Sequence, residues 1–228
     1  MENRQISQPG RRSKTVSSLL FFVLLIGGIV LCVSSFFLDG TVIEWVRVHE
    51  NIPLKEFARF LSACGDWPGL MVSGGIGLAI ALLLRKRELA NLIVCMMISS
   101  TIAGALVNTV RLTSGRARPN NTRAVHEWNG LWQDHQFLLF NNNYHSFPSG
   151  HAGAASAFFA VPVFARRTYG RWTFLIALAI AWSRVYLNVH HLSDVLFGIL
   201  VGTVTAYIVW KKIGSPPNKR TEARISDS

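Results

Sequence analysis

Apolar residues along this chain occur in long blocks rather than at alternating or helical intervals. Six blocks approach the length of about 20 residues that a helix needs to cross the roughly 30 Å hydrocarbon core of a bilayer. They cover residues 16–38, 69–84, 89–110, 148–165, 172–189 and 193–210. The pattern therefore predicts an all-α, polytopic membrane protein with six transmembrane helices.

Two longer polar segments separate these blocks. In the segment 39–67, apolar side chains such as Trp45, Leu54 and Phe57 recur at the spacing of short amphipathic helices, which predicts a rim of helices on the outer face of the membrane. The segment 111–147 is rich in Arg, His, Trp and Asn. Loops of this length tend to be functional or disordered, and the aromatic residues argue against disorder.

The blocks and polar segments divide the chain into three regions. We predict a polar cytoplasmic tail over residues 1–15, a membrane domain over residues 16–210 and a basic cytoplasmic tail over residues 211–228. The first apolar block is longer than the roughly 7–15 apolar residues of a signal peptide, so we interpret it as a retained helix.

Basic residues are distributed unevenly across the predicted membrane. The chain has 23 Lys and Arg against 12 Asp and Glu, a net charge of +11. With the N-terminus in the cytoplasm, fifteen of those 23 cations lie on the cytoplasmic side, as the positive-inside rule requires. This distribution explains most of the basic excess without a nucleic-acid partner. It favours a bacterial inner membrane, with both termini cytoplasmic, over the endoplasmic reticulum.

Three polar clusters lie at the outer ends of predicted helices. The third block ends at Arg111, with Arg118 seven residues later; the fourth begins with PSGH at 148–151; the fifth ends in SRVYLNVHHLSD at 183–194. An arginine side chain can bind two phosphate oxygens with its planar guanidinium group. The PSGH sequence lies at a helix N-terminus, where free backbone N–H groups favour an anion. The clusters therefore predict a phosphate pocket.

His190 and Asp194 are candidates for chemistry at that phosphate. Their i, i+4 spacing lets the carboxylate accept a hydrogen bond from one imidazole nitrogen and leaves the other nitrogen to attack phosphorus. His151, at the start of the facing helix, could protonate the leaving oxygen. The outer segments show no carboxylate spacing typical of Mg²⁺ or Zn²⁺, so we expect a metal-independent transfer that uses no cofactor.

These motifs resemble those of the type 2 phosphatidic acid phosphatase superfamily. RLTSGRARP at 111–119, PSGH at 148–151 and SRVYLNVHHLSD at 183–194 look like its three signature motifs, in the expected order and at the expected helix ends. The family covers membrane lipid phosphatases, glucose-6-phosphatase and vanadium haloperoxidases. A haloperoxidase is disfavoured because such enzymes are usually soluble.

The resemblance implies a role for each matched residue. His190 would be the nucleophile that forms a phosphohistidine, Asp194 would orient it, and His151 would be the acid. The phosphoryl oxygens would be held by four further residues, namely Arg118, Ser149, Gly150 and Arg184. The family's first motif usually opens with Lys, and Arg111 in that place keeps the charge but changes its shape.

The other polar residues near the motifs are interpreted as structural. Arg116 and Arg123 are expected to be interfacial anchors. His145 and His191 are expected to be supporting or simply polar residues. Three further histidines are expected on the rim, namely His49, His126 and His135. The small residues that follow PSGH are expected to allow close helix packing.

A site at the membrane surface favours an amphiphile whose phosphate lies at headgroup level. Candidate substrates are phosphatidic acid, phosphatidylglycerol phosphate, a polyprenyl diphosphate such as undecaprenyl diphosphate, and the phosphate of a lipid A-type glycolipid. We expect hydrolysis on the periplasmic face, among membrane lipids. Two alternatives stay open: a phosphotransferase that passes the phosphoryl group to a lipid acceptor, and a non-catalytic lipid-phosphate transporter. The sequence indicates no oligomeric state.

Overall fold

Helices account for most of the described chain. The structure, a computed structural model, describes residues 10–121, 127–133 and 135–214, with side chains from residue 22 onward. Eight α-helices lie in these ranges: α1 Gly10–Ser35, α2 Asp39–Val48, α3 Ile52–Cys64, α4 Trp67–Leu83, α5 Arg87–Ser114, α6 Gly150–Phe164, α7 Gly170–Tyr186 and α8 Leu192–Val209. A π-helical turn, Trp210–Gly214, extends α8.

A helix coincides with each predicted membrane block, namely α1, α4, α5, α6, α7 and α8. The described chain is nearly all-α, apart from two short paired strands, β1 Trp132–Gln133 and β2 Gln136–Phe137. Among the described residues, α5 and α8 with its π-helical turn are long and apolar enough to cross a membrane, and α1 with α2 and α3 with α4 pass the same test as bent pairs. Length and composition thus support two to four spans, and six spans stay a prediction.

The central helix of the bundle is α6, which packs against α5, α7 and α8. Its first half buries four alanines almost completely, namely Ala152, Ala154, Ala155 and Ala157. A Cβ atom on Gly202 of α8 would lie only 2.3 Å from the carbonyl oxygen of Gly153. The predicted close packing is confirmed, and it brings the start of α6 against the start of α8.

Large apolar side chains cover the outside of the bundle. On α1, more than half of the surface of Phe22, Leu24, Ile26 and Val30 is exposed. Exposure of such an apolar surface to water would cost free energy, whereas the hydrocarbon core of a bilayer accommodates it. Helices can lie in that core because they satisfy their own backbone hydrogen bonds. The outer surface therefore suits a membrane.

Helices α2 and α3 occupy the segment predicted to form a rim. The Asn51 side chain caps α3 by accepting a hydrogen bond from the Leu54 N–H at 2.9 Å. Tyr186 ties the rim to α7, since its hydroxyl accepts from the Asn51 N–H at 3.1 Å and donates to the His49 carbonyl at 3.3 Å. His49 and His135 are exposed, as expected of rim residues, and His126 lies outside the described residues.

The described part of the segment 111–147 is folded back on itself. The backbone of Arg116 pairs with that of Trp128. The Arg118 N–H donates to the Asn143 carbonyl at 2.8 Å. Gly115 permits this close approach because it has a φ of +60°, and a Cβ there would lie 2.0 Å from the Gly130 carbonyl oxygen. The described part of the segment therefore packs against itself next to the end of α5.

Candidate active site

The three polar clusters converge at one end of the bundle. Arg111 lies in the last turn of α5, Arg184 in the last turn of α7 and His151 in the first turn of α6. The charges of Arg111, Arg118, Arg184 and His190 all act on His151. The structure thus brings together five of the eight predicted site residues from three helices and two loops.

The start of α6 offers polar groups to this cluster. Ser149 precedes the helix, and its N–H donates to the Asp194 carbonyl at 3.0 Å. The Ser149 side chain is fully buried, and its hydroxyl has no hydrogen-bond partner among the described residues. A Cβ on Gly150 would lie 3.2 Å from Nη1 of Arg111, so the missing side chain lets the guanidinium approach the helix N-terminus. A hydroxyl, N–H groups and a cation at one place suit a phosphate.

The three arginines whose charges act on His151 each carry a buried Nε atom without a hydrogen-bond partner among the described residues, namely Arg111, Arg118 and Arg184. Other atoms of these side chains are held in place. Arg111 Nη2 donates to Asn108 Oδ1 at 2.5 Å, and Arg184 Nη1 donates to the Ser62 hydroxyl. Burial and the neighbouring charge of Arg111 lower the pKa of Arg118, and Asp194 opposes that effect. An anion would relieve the repulsion between these cations.

His190 is buried, and a backbone carbonyl orients its ring. Nδ1 lies 2.7 Å from the Ser146 carbonyl oxygen, whereas Oδ2 of Asp194 lies 3.6 Å away, too far for a hydrogen bond. A carbonyl can only accept, so Nδ1 carries the proton and Nε2 keeps its lone pair. The sequence predicted a direct contact with Asp194, but the nearest acceptor is the Ser146 carbonyl.

Burial also sets the protonation state of His190. Desolvation lowers the pKa of His190 to about 4; Asp194 opposes this effect, and the charges of Arg184 and Arg118 add to it. The imidazole is therefore neutral at pH 7. A neutral imidazole is the form that can act as a nucleophile.

Three donors hold the fully buried Asp194 carboxylate. Oδ2 accepts from the Ser146 hydroxyl at 2.5 Å and from the His191 N–H at 2.8 Å, and Oδ1 accepts from Nη1 of Arg116 at 2.5 Å. Ser146 thus contacts both members of the predicted pair, Asp194 with its hydroxyl and His190 with its carbonyl. Since the second contact is made by the backbone, the residue type at position 146 could not signal it.

Arg116 is not the interfacial anchor that the sequence predicted. Its side chain is 0% exposed, and Nη2 donates to Oδ2 of Asp39 at 2.7 Å. The sequence did not indicate that Arg116 and Asp39 contact the site. An arginine near a membrane surface usually extends toward the lipid headgroups. The available signal was its position inside RLTSGRARP, two residues before Arg118. Arg123 lies outside the described residues.

His145 and His191 are both buried beside the site. The His191 ring places Nε2 3.1 Å from the Ala117 carbonyl, and its backbone N–H donates to Asp194; its supporting role stays a prediction. Burial and the charge of Arg111 lower the pKa of His145. A neutral His145 adds no further positive charge to the arginine cluster.

A cavity of about 290 Å³ opens beside His151, between α4, α5 and α6. Its wall on α5 is formed by five residues, namely Thr101, Gly104, Ala105, Asn108 and Arg111. Trp67 and Asp66 face them from the start of α4, and Oδ1 of Asp66 lies 3.6 Å from Nε2 of His151. The cavity is polar at the cluster and more apolar away from it, as in sites for amphiphiles.

Metal ligands are not grouped in the described part of the chain. Within residues 10–121, 127–133 and 135–214, no three His, Cys, Asp or Glu side chains could jointly hold a metal ion. The three cysteines are free. The cations that the described site offers to a phosphate are arginines.

The fold and the site together define a helical protein with an apolar outer surface and a cationic pocket at one end of its bundle. Residues 88–215, more than half of the chain, match the model of the PAP2 superfamily. The chain therefore belongs to the PAP2 superfamily, as the resemblance of its motifs implied.

Two similar proteins share shorter segments with this chain. The protein named "Putative undecaprenyl-diphosphatase YbjG" from Escherichia coli (strain K12) is 37% identical over 82 residues, which are 34% of this chain and 41% of that protein. A lipid A 1-phosphatase from Rhizobium etli is 30% identical over 117 residues, which are 49% of this chain and 47% of that protein. The chain thus spans less than half the length of either relative.

Two solved structures have a similar fold. LpxE from Aquifex aeolicus has a TM-score of 0.55 at 23% identity, over 76% of this chain and 95% of LpxE. A transmembrane PAP2 type phosphatidylglycerolphosphate phosphatase from Bacillus subtilis has a TM-score of 0.52 at 21% identity, over 92% of this chain and 96% of that protein. With the apolar helices, this fold indicates a multi-pass bacterial membrane protein.

Proposed function

We propose that this protein is a phosphatase that hydrolyses a lipid phosphate or diphosphate at the periplasmic face of the inner membrane. The observation that carries the proposal is the orientation of His190, whose Nδ1 is held by the Ser146 carbonyl while the charges of Arg118 and Arg184 act on its ring. A neutral, oriented imidazole among cations is suited to attack a phosphate. The relatives named as lipid phosphatases support the same class.

The first step transfers the phosphoryl group to the enzyme. Nε2 of His190 donates its lone pair to phosphorus, and the bond from phosphorus to the lipid oxygen breaks. The bound phosphate offsets the charges of the surrounding arginines, which allows His151 to hold a proton. His151 gives this proton to the lipid oxygen, so the lipid leaves as an alcohol or, from a diphosphate, as a lipid monophosphate. Three arginines, Arg111, Arg118 and Arg184, offset the charge on the phosphoryl oxygens.

The second step returns the enzyme to its starting state. His151 takes a proton from a water molecule whose oxygen attacks phosphorus. The nitrogen–phosphorus bond breaks, and its electron pair returns to Nε2 of His190. Inorganic phosphate leaves, and both histidines regain their initial protonation states. Neither step requires a metal ion.

The cavity beside His151 supports a lipid as the substrate. The proton donor marks the side on which the leaving group lies, and this is the side where the cavity opens. Gly104 leaves a gap in the cavity wall, because it has no side chain and even a Cβ there would be 3.8 Å from Cδ1 of Trp67. A hydrocarbon chain attached to the leaving oxygen can therefore extend between α4 and α5 while its phosphate stays among the arginines.

Charge at the two ends of the bundle supports a periplasmic site. The turn between α4 and α5 carries Arg85 and Lys86, and α5 begins with Arg87. These cations lie at the end of α5 opposite to Arg111. Because basic residues are retained on the cytoplasmic side, the end with the phosphate pocket faces outward.

A panel of phosphorylated lipids tests the proposed function. The purified protein in detergent is offered phosphatidic acid, phosphatidylglycerol phosphate, undecaprenyl diphosphate and lipid A, and free phosphate is measured without any acceptor. We expect release from at least one lipid. No release from any lipid contradicts hydrolysis, and release of the lipid product only when an acceptor is added indicates a phosphotransferase instead.

Metal removal tests the chemistry separately from the substrate. Activity on the preferred lipid should stay within about twofold of its original value in excess EDTA, because arginines and histidines perform the transfer. Vanadate should inhibit, since it adopts a geometry like that of the transition state. A strict requirement for added Mg²⁺ would overturn the metal-free mechanism.

A further inference from the structure

We propose that Asp39 and Arg116 are a positioning pair for the nucleophile: they hold the Asp194 carboxylate and leave one net negative charge behind His190. This inference rests on the proposed phosphatase function. It extends the site to the corner between α1 and α2, from which the sequence predicted no contribution.

Asp39 links that corner to the start of α8. The residue lies in the first turn of α2 and is 0% exposed. Oδ1 accepts from the Ser193 N–H at 2.9 Å, and Oδ2 accepts from the Ser193 hydroxyl at 2.5 Å. Since Ser193 directly precedes Asp194, the Asp39 carboxylate fixes the turn that presents Asp194.

Arg116 bridges the two carboxylates. Nη1 donates to Oδ1 of Asp194 at 2.5 Å and Nη2 donates to Oδ2 of Asp39 at 2.7 Å. The plane of the guanidinium is held by aromatic rings, with Cζ 4.8 Å from the ring centre of Trp128 and 5.1 Å from that of Phe36. A lysine ammonium has no planar fork with which to reproduce this two-sided contact.

Ser146 carries the effect of Arg116 to the nucleophile. The Ser146 N–H donates to the Arg116 carbonyl at 3.1 Å. Its hydroxyl donates to Asp194, and its own carbonyl accepts from Nδ1 of His190 at 2.7 Å. Arg116 therefore fixes the orientation of His190 through both its backbone and its side chain, without touching the substrate.

The side chains of Asp39, Asp194 and Arg116 together carry a net negative charge. Asp39 and Asp194 contribute two negative charges and Arg116 one positive charge, all on side chains that are 0% exposed. Other titratable groups around His190 and the cluster are Arg118, His151, Arg184 and His191. When phosphorylation makes the His190 ring positive, the excess negative charge stabilises it, because a buried charge requires a compensating partner.

Asp39→Asn tests this role of the pair. The amide keeps the shape and one of the two oxygens that accept hydrogen bonds, but it removes the excess charge. We expect kcat to fall about 10- to 100-fold with KM within about threefold, since the lost stabilisation arises on phosphorylation. We also expect His190, observed by NMR of ¹⁵N-labelled histidine, to titrate at a lower pH than in the wild type. Glu44→Gln, an exposed acid on the same helix, is the control and should change neither value.

A folded Asp39→Asn protein with wild-type kcat and an unchanged His190 titration would overturn the inference. If this variant does not fold, Ser193→Ala replaces it, because it keeps both charges and removes the hydroxyl that donates to Asp39. It should lower kcat about 3- to 10-fold at constant KM, and wild-type kcat would contradict the pairing. A wild-type protein that releases no phosphate from any lipid refutes the proposed function instead, and the titration of His190 still tests the pair.

Discussion

At the residue scale, the two ring nitrogens of His190 have different tasks. Nδ1 donates to the Ser146 carbonyl, and Nε2 is the atom that we propose attacks phosphorus. Arg111, Arg118 and Arg184 each have a buried Nε without a partner among the described residues. Arg111 and Arg184 also donate hydrogen bonds to Asn108 and Ser62. In the proposed site, some atoms thus position the side chains and others are available to a phosphate.

Replacing the nucleophile should remove turnover. We expect His190→Ala to lower kcat by at least about 1,000-fold, because no other group can form the nitrogen–phosphorus bond. Phosphate release from the preferred lipid measures the loss. His49→Ala is the matched control, since that histidine is exposed on the rim. Activity of His190→Ala within tenfold of the wild type would exclude the phosphohistidine.

The pH dependence of the reaction should report the burial of His190. Its pKa is lowered to about 4, so the neutral nucleophile prevails above that pH and the inactive protonated form below it. We expect kcat/KM to decline as the pH falls through about 4, measured with a buffer series on the detergent-solubilised protein. A decline centred near 6.5, the ordinary value for histidine, would show that the ring is not desolvated in this way.

Side chains were predictable where the residue type itself carries the chemistry. The grouping of Arg118, His151, Arg184 and His190 could be predicted from the sequence, because a phosphate requires cations and a transfer requires a nucleophile; their catalytic roles stay predictions. The contacts of Asp39 could not, since they depend on a burial that only the fold creates. The positioning of residues is thus less visible in a sequence than their reactivity.

At the scale of elements, the contact between α6 and α8 holds the site together. Ser149 precedes α6 and Asp194 lies in the first turn of α8, and a backbone hydrogen bond of 3.0 Å joins them. Close approach of the two helices is possible because Gly198 and Gly202 of α8 lack side chains. A Cβ on Gly198 would lie 2.7 Å from the carbonyl oxygen of Ser149.

A methyl group at this contact should separate the helices. Gly202→Ala should destabilise the protein by about 1–3 kcal/mol and lower the thermal midpoint, since the new Cβ would lie 2.3 Å from the Gly153 carbonyl. Gly75→Ala in α4 is the matched control, because nothing lies within 4 Å of its Cβ. That control should be neutral or slightly stabilising, as alanine is the better helix former. Equal midpoints for the two variants would contradict the packing argument.

The positions of the helices followed from apolar blocks, but their ends did not. The fifth block was predicted to reach residue 189, whereas α7 ends at Tyr186. Asn188 has a φ of +56°, so the chain turns there and places His190 beside Ser146. Averaged hydropathy does not detect such a turn, because Leu187 and Val189 on either side of Asn188 are apolar.

At the scale of the whole molecule, the orientation in the membrane is open to a direct test. Phe140 is 87% exposed in the segment 111–147, and Lys212 is exposed beyond α8. In a Cys64→Ser background, which removes the exposed native thiol, Phe140→Cys should react with an impermeant reagent in intact cells. Lys212→Cys should react only after permeabilisation. The reverse pattern would place the site in the cytoplasm.

The number of spans was harder to predict than the fold class, for a geometric reason. α1 meets α2 at 65° and α3 meets α4 at 62°, so an apolar stretch and its amphipathic neighbour form one bent unit. Hydropathy averaged over a window of residues does not detect such a bend. The all-α class needed only the apolar composition of the blocks, whereas the path of each bent unit through a bilayer depends on its geometry.

The contacts of Asp39 and Ser62 have a consequence for where this chain can be cut. The family match begins at residue 88, and a fragment starting there would keep all eight residues predicted for the site. It would nevertheless lose the carboxylate that receives Arg116 and the hydroxyl that receives Arg184. We therefore expect a fragment that begins at residue 88 to lose phosphate release, since Asp39 and Ser62 contact the candidate site from outside the matched region.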